Sequence, residues 1–173
     1  MRKLTIRDEQ PGDIPAIHAL TRAAFAKATV SDGNEQDIVD ALRADGDLTL
    51  SLVATNMDEA IIGHLAISPV TISDGSTGWF AGGPVSVMPT RQRIGIGSQL
   101  IEEGLERMKA LGAGGLVLLG DPEYYRRFGF QTDPDIVLPG APPEYFQIRM
   151  LGEGPRPKGE VTYARGFSAK PEG

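Results

Sequence analysis

The sequence predicts a single mixed α/β (α+β) domain. Three observations predict it: strand-like segments joined at hairpin spacing between residues 48 and 89, helical periodicity on both sides of that block, and a buried-strand run, Leu116–Leu119, closing a strand–helix–strand unit. The 173 residues are enough for one full core, so one unit spanning 1–173 is expected, with 133–173 an irregular Pro- and Gly-rich part carrying late strands.

In chain order, RKLTIR (2–7) alternates as a short strand. Pro11–Phe25 follows as a helix, with Asp13 as N-cap and Ile14, Ile17, Leu20 and Phe25 near helical spacing. SDGN (31–34) breaks it. Glu35–Gly46 reads as a second helix, with Ile38, Val39 and Leu42 as its apolar face and Gly46 as its stop. Leu48–Asn56 and Ala60–Val70 are strands joined by the polar turn NMDE, and Trp79–Pro89 is a third whose glycines imply a bulge. Leu100, Ile101, Gly104, Leu105, Met108 and Leu111 share one face of a further helix, which GAGG ends before the strand LVLLG. Asp121 caps, and Pro122 opens, a short helix through EYYRRFGF. Tyr145–Leu151 and Gly159–Tyr163 are the late strands, and Ser168–Gly173 is a frayed tail.

Composition narrows the function. Without cysteine there is no disulfide, thiolate nucleophile or cysteine metal site, and His18 and His64 alone make no His-rich metal centre, so no metal is expected. The net charge of −6, with no Lys/Arg run, argues against a nucleic-acid partner. No apolar run approaches membrane-spanning length, and MRKLTIRDEQ lacks a signal-peptide core, so the expected location is cytoplasmic with no membrane partner.

The most informative stretch is VSVMPTRQRIGIGSQL (85–100). A helix N-terminus carries unpaired N–H groups and partial positive charge, and glycines let the backbone approach an anion closely. Gln92-x-x-Gly95-x-Gly97, beside Arg91 and Arg93, therefore suits a pyrophosphate. A dinucleotide fingerprint would need a third glycine where Leu100 stands, although Asp121 does follow the next strand; a Walker loop would need Gly-Lys-Ser/Thr. A turn that merely lets strand and helix pack also fits these glycines. Pro89 stops ladder pairing and so leaves the strand end open to another partner. Tyr124 and Tyr125, after the buried strand, either face the same cleft or pack in the core.

Together, VSVMPTRQRIGIGSQL and YYRRFGF, at this spacing, resemble the GNAT superfamily of acyl-CoA-dependent N-acetyltransferases. With SLVAT, IIGHLAISPV and GDPEYYRRFGF the likeness narrows to the YhbS-like bacterial subgroup, over roughly residues 2–150. The resemblance implies a central, mostly antiparallel sheet splayed in its middle, with helices on both faces. It implies acetyl-CoA as co-substrate, with Val85, Ser86 and Val87 on the splayed strand along the pantetheine arm. Gln92, Arg93, Ile94, Gly95, Ile96, Gly97 and Ser98 would form the loop whose amides bind the pyrophosphate. Tyr125, five residues before Phe130, takes the place of the general acid. The asparagine often found ahead of that tyrosine is absent, with Asp121-Pro122 in a shortened connection.

The expected activity is an acyltransferase reaction: transfer of acetyl from CoA to a primary amine by direct attack in a ternary complex. No cysteine exists to carry an acyl group. The Val87 N–H is the strand amide expected to stabilise the oxyanion. Glu35 and His64 are the nameable base or acceptor-binding candidates, though a helix-start carboxylate and a buried histidine also suit purely structural parts. The acceptor is an amine-bearing small molecule or a protein amine, and the resemblance is compatible with a homodimer. The alternative is a non-catalytic acyl-CoA-binding sensor or interaction module; a weaker one is a nucleotide-binding protein using the same turn.

Overall fold

A computed structural model describes residues 4–26, 31 and 33–169. Residues 2 and 3 of the expected first strand, and most of the expected frayed tail, lie outside them. Among the described residues four α-helices accompany eight strands: β1 (Thr5–Asp8), α1 (Ile14–Phe25), α2 (Glu35–Ala44), β2 (Leu50–Thr55), β3 (Ile61–Ile72), β4 (Trp79–Val87), α3 (Ile96–Ala110), β5 (Gly115–Leu119), α4 (Pro122–Tyr125), β6 (Ile136–Val137), β7 (Phe146–Met150) and β8 (Gly159–Tyr163). The sheet runs β1-β2-β3-β4-β5-β7, with β8 on the far part of β3 and β6 on β8. All pairings are antiparallel except β4–β5 and β6–β8.

Side-chain alternation assigns the faces. Gly63 on β3 meets Ile96 and Leu100 of α3, and Gly104 lies against Leu65, so odd residues of β3 carry α3 at close range. Leu52, Leu65, Ile67, Leu100, Met108, Leu116 and Leu118 make the core on that side. The opposite face packs Val53 and Ala66 against Ile17 of α1 and Val39 of α2. Further along it, Val70, Trp79, Val117, Phe146 and Ile148 pack with Val161 of β8. The fold is therefore the mostly antiparallel sheet, helices on both faces, that the sequence led us to expect.

Local signals mostly act as read. Gly46, at φ 76°, closes α2: its N–H reaches Arg43 O, and the N–H of Asp47 reaches Leu42 O, a Schellman ending. Asp121 accepts from the Glu123 N–H at 2.9 Å and caps α4. Asp13 behaves differently. A 3-10 turn, Pro11–Asp13, precedes α1, and the Asp13 carboxylate reaches back to the Gln10 N–H at 2.7 Å while pairing with Arg7. It caps the turn leading into the helix, not the helix itself.

The sheet opens in the middle. β4 and β5 pair only through Trp79–Ala81 and Gly115–Val117. Beyond Ala81, β4 pairs only with β3, and β5 only with β7. On β4, Gly82 to Val85 spans three steps against two on β3, Ile67 to Leu65, so Gly83–Pro84 forms the bulge the glycines implied. This corrects the attribution of the open edge to Pro89: Val87 still pairs with Gly63, and Met88 N–H with Ile62 O. The bulge at Pro84, which lacks an N–H, turns β4 away from β5.

Candidate active site

The splay leads directly to the N-terminus of α3. After a 3-10 turn at Pro89–Arg91 the chain passes Arg93 at φ 67° and Gly95 at φ 93°, and Gly95 is the N-cap. Glycine is favoured at Gly95, because a left-handed conformation at φ 93° strains most residues with a Cβ. The first intrahelical acceptor, Gly95 O, takes the N–H of Gln99, and no side chain caps the end. The N–H groups of Ile96, Gly97 and Ser98 therefore have no intrahelical acceptor. Gly97 has a different reason to be glycine. A Cβ there would meet only Val87 and the Tyr124 hydroxyl, at the ordinary contact distances of 3.6 and 3.7 Å. Protein packing does not demand glycine there; its missing side chain keeps a cradle open between the strand end and α4. That cradle, with three free amides at a positive helix end, fits a pyrophosphate.

The flanking side chains shape the loop. Gln92 Nε2 donates to Val87 O at 3.0 Å and ties the turn to the strand end. Arg93 and Ile94 are exposed, and Val85 and Val87 are half-buried on the face shared with α3. Ser86 points to the other face, buried, with its Oγ lacking a hydrogen-bond partner among the described residues. On the β5 side, Tyr124 OH lies 2.8 Å from Ser98 Oγ, coupling α4 to the first turn of α3, and Arg127 stacks over the Tyr124 ring at 4.7 Å. Tyr125 packs against Gly120, Phe128 and Phe130; burial, then its neighbour Tyr124, pushes its pKa up to about 12.

Glu35 and His64 are held by separate partners. Glu35, half-buried in the first turn of α2, accepts from Ser31 Oγ at 2.5 Å. His64 is wholly buried on the α1/α2 face, directly across from Ser86. Its Nε2 lies 2.8 Å from Ser51 Oγ, which is 2.8 Å from Glu9 Oε1, and Arg43 holds Glu9 at 2.6 Å. The single Ser51 proton goes to the carboxylate, which can only accept, so His64 donates from Nε2–H and Nδ1 keeps a lone pair. Burial dominates the electrostatics of this histidine and lowers its pKa to about 4. Burial pushes the Glu9 carboxyl up, but the bonds from Arg43 and Ser51 outweigh it and hold the group below its usual range. Sequence reading missed this network, since Glu9, Arg43 and Ser51 converge only through the β1–β2 pairing and the seat of α2. His18 joins α1 to α2 through Asp40 at 2.7 Å.

No helix among the described residues is long and apolar enough to cross a membrane. No cluster of metal-ligating side chains occurs among them.

A splayed β4–β5 pair feeding a bare helix N-terminus defines the class. The acetyltransferase (GNAT) domain profile matches residues 5–132, and the chain belongs to the GNAT acetyltransferase family of enzymes. It is 41% identical to the N-acetyltransferase YhbS of Escherichia coli over 128 residues, 74% of each chain. A GNAT family acetyltransferase from Brucella melitensis, solved in complex with acetyl-CoA, is similar at 46% identity and TM-score 0.85, covering 97% of this chain and 100% of that one. The structure of E. coli YhbS in complex with CoA aligns at 35% identity and TM-score 0.86, covering 96% of this chain and 93% of that one.

Proposed function

We propose that this protein transfers an acetyl group from acetyl-CoA to a primary amine by direct attack in a ternary complex. The observation that carries the reading is the β4 edge left unpaired with β5 beyond Ala81, leading to the uncapped N-terminus of α3; Tyr125 is the proton donor we assign to this site. The acetyl-CoA held by the similar Brucella protein supports the choice of donor.

In this reading the amides of Ile96, Gly97 and Ser98 hold the pyrophosphate, and the strand Val85–Val87 lies along the pantetheine arm. The amine lone pair attacks the thioester carbonyl and a C–N bond forms. The Val87 N–H donates to the carbonyl oxygen as negative charge grows on it. The C–S bond then breaks, the Tyr125 hydroxyl gives a hydrogen bond, then its proton, to the leaving sulfur, and the proton lost by the acylated nitrogen restores the phenol. A pKa near 12 keeps Tyr125 protonated until that moment. His64, sealed and with a pKa near 4, sits about six units below a lysine-type ammonium and is a poor proton acceptor from one. Glu35 is the carboxylate we retain for the ammonium side of the acceptor.

Titration with acetyl-CoA by calorimetry, with ATP and NAD as controls, tests the donor, and CoA release across an amine panel tests the transfer. We expect micromolar acetyl-CoA affinity, silent controls and amine-dependent release. Acetyl-CoA binding with no release for any amine would mean a sensor, and preferential binding of ATP or NAD would mean a nucleotide-binding protein.

A further inference from the structure

A cavity of about 550 Å³ lies next to the end of β5, lined mainly by Ile136, Val137, Leu138, Ala141, Pro143 and Phe146, with Asp133 and Glu144 as the carboxylates of its wall. Its place follows from register. Phe146 pairs directly with Leu119, the last residue of β5, so both side chains project from the same face. Phe146 and Ile136 belong to the core on the face opposite α3. Leu119, on that face at the free end of β5, is 46% exposed. The cavity is thus one strand away from the free end of β5, on the side away from the helix that would hold the pyrophosphate.

From this juxtaposition we infer that the acceptor is a primary amine carrying one positive charge on an apolar body, and that the body lodges against Phe146 and Leu138 while the amine points past Leu119 into the splay. The inference rests on the acetyl-transfer reading above. Charge decides against polycations. Of the two carboxylates in the wall, Asp133 is already bound by Arg156 at 2.8 Å and by the Asp135 N–H at 2.9 Å. Glu144, exposed and without an ion-pair partner among the described residues, is the other. A wall with a single carboxylate outside an ion pair offers little to further charges on the body, and a polyamine or an aminoglycoside would leave several of them against aliphatic wall, which is costly. A volume of this size also exceeds what a small, wholly polar amine would fill.

The test measures CoA release by the full-length protein with phenethylamine and leucine amide against spermidine and kanamycin. We expect kcat/KM for the two apolar amines to exceed the polycations by about tenfold or more. Ala141→Phe, which fills the cavity from its rim, should raise KM for phenethylamine about tenfold and leave acetyl-CoA affinity unchanged. Leu138→Lys is the second variant, and acetyl-CoA calorimetry reports that either variant is folded. If no amine turns over, phenethylamine is titrated into CoA-loaded protein, and binding lost in Ala141→Phe sustains the inference. Polycations equal to or better than the apolar amines, or an Ala141→Phe protein that binds and uses phenethylamine normally, would overturn it. Failure to bind acetyl-CoA sinks the transfer reading instead, and is seen in a separate measurement.

Discussion

The two faces of the sheet set their polar groups in different surroundings. At the N-terminus of α3, three amides stand without acceptors around Gly97, which is half-buried and reachable by water. On the other face, Glu9, Arg43, Ser51 and His64 are drawn into a bonded chain, with His64 wholly enclosed. Free donors cost little where solvent reaches them, and much where it does not. Unspent hydrogen-bonding capacity at an accessible helix end is the mark of a ligand site, whereas a bonded chain running from Arg43 to His64 marks a device that ties α2 to the sheet. Mutations and pH should separate the two regions: one governs turnover and affinity, the other stability.

The largest effect is expected at Tyr125. Tyr125→Phe keeps the ring that packs on Gly120, Phe128 and Phe130 and removes only the hydroxyl. We expect kcat to fall by roughly 10²–10⁴, about 3–5 kcal/mol, with acetyl-CoA affinity and melting temperature unchanged. Steady-state kinetics beside calorimetry checks it; a variant with normal kcat would remove Tyr125 from the proton-donor role.

The enclosed face should answer to pH instead. The folded-state pKa of His64, about 4, lies below the unfolded value near 6.5. Its neutral form therefore contributes stability that is complete above the unfolded value and is lost as pH falls toward 4. Between pH 7.5 and 5 the loss from this group should be about 2 kcal/mol. Urea melts of wild type and His64→Leu across that interval read it directly, since the variant should lose this part of the slope. Equal slopes would show that the enclosed histidine does not control the acid limb.

What the sequence disclosed about these regions follows the same division. The glycine turn, the capped α4 and the bulge in β4 were legible because each is written in neighbouring residues: Gly95 before a periodic helix, Asp121 before Pro122, Gly82–Gly83 before Pro84. Family resemblance then supplied the splay and the cradle as expectations. The chain from Arg43 through Glu9 and Ser51 to His64 was not legible, since its bonded neighbours lie up to 42 residues apart and meet by strand register and the seat of α2. Nor was the bond between Tyr124 and Ser98, because which of two adjacent tyrosines faces α3 depends on how α4 sits. The apolar cavity escaped for a similar reason: its wall is an irregular segment whose residues follow neither period.

Gly97 sharpens the contrast within the ligand region. Glycine in a helix is worse than alanine by roughly 0.5–1 kcal/mol, and nothing in the protein crowds a Cβ at this position. Gly97→Ala should therefore raise thermal stability by about that amount. The same methyl group intrudes on the cradle, so acetyl-CoA affinity should drop about tenfold, or about 1.4 kcal/mol. Stability and affinity moving in opposite directions is the outcome to look for. A variant that is more stable and binds as tightly as wild type would mean that the cradle lies elsewhere.

The smallest effect, and the one that separates the two tyrosines, belongs to Tyr124. Its hydroxyl bonds to Ser98 Oγ, and its ring stacks under Arg127. Tyr124→Phe loses one neutral hydrogen bond in a half-exposed site, about 1 kcal/mol, while the ring contacts with Tyr125 and Phe128 survive. The bond fixes the first turn of α3 against α4 and so fixes how the three amides are aimed. Its loss should appear as a rise of a few-fold in KM for acetyl-CoA, with kcat unchanged. Ser98→Ala should give the same rise, and the double variant should be no worse than either single one, because both remove the same bond. If kcat instead falls by orders of magnitude in Tyr124→Phe while Tyr125→Phe stays active, the roles are exchanged: Tyr124 donates the proton, and the half-buried, high-pKa Tyr125 only supports it.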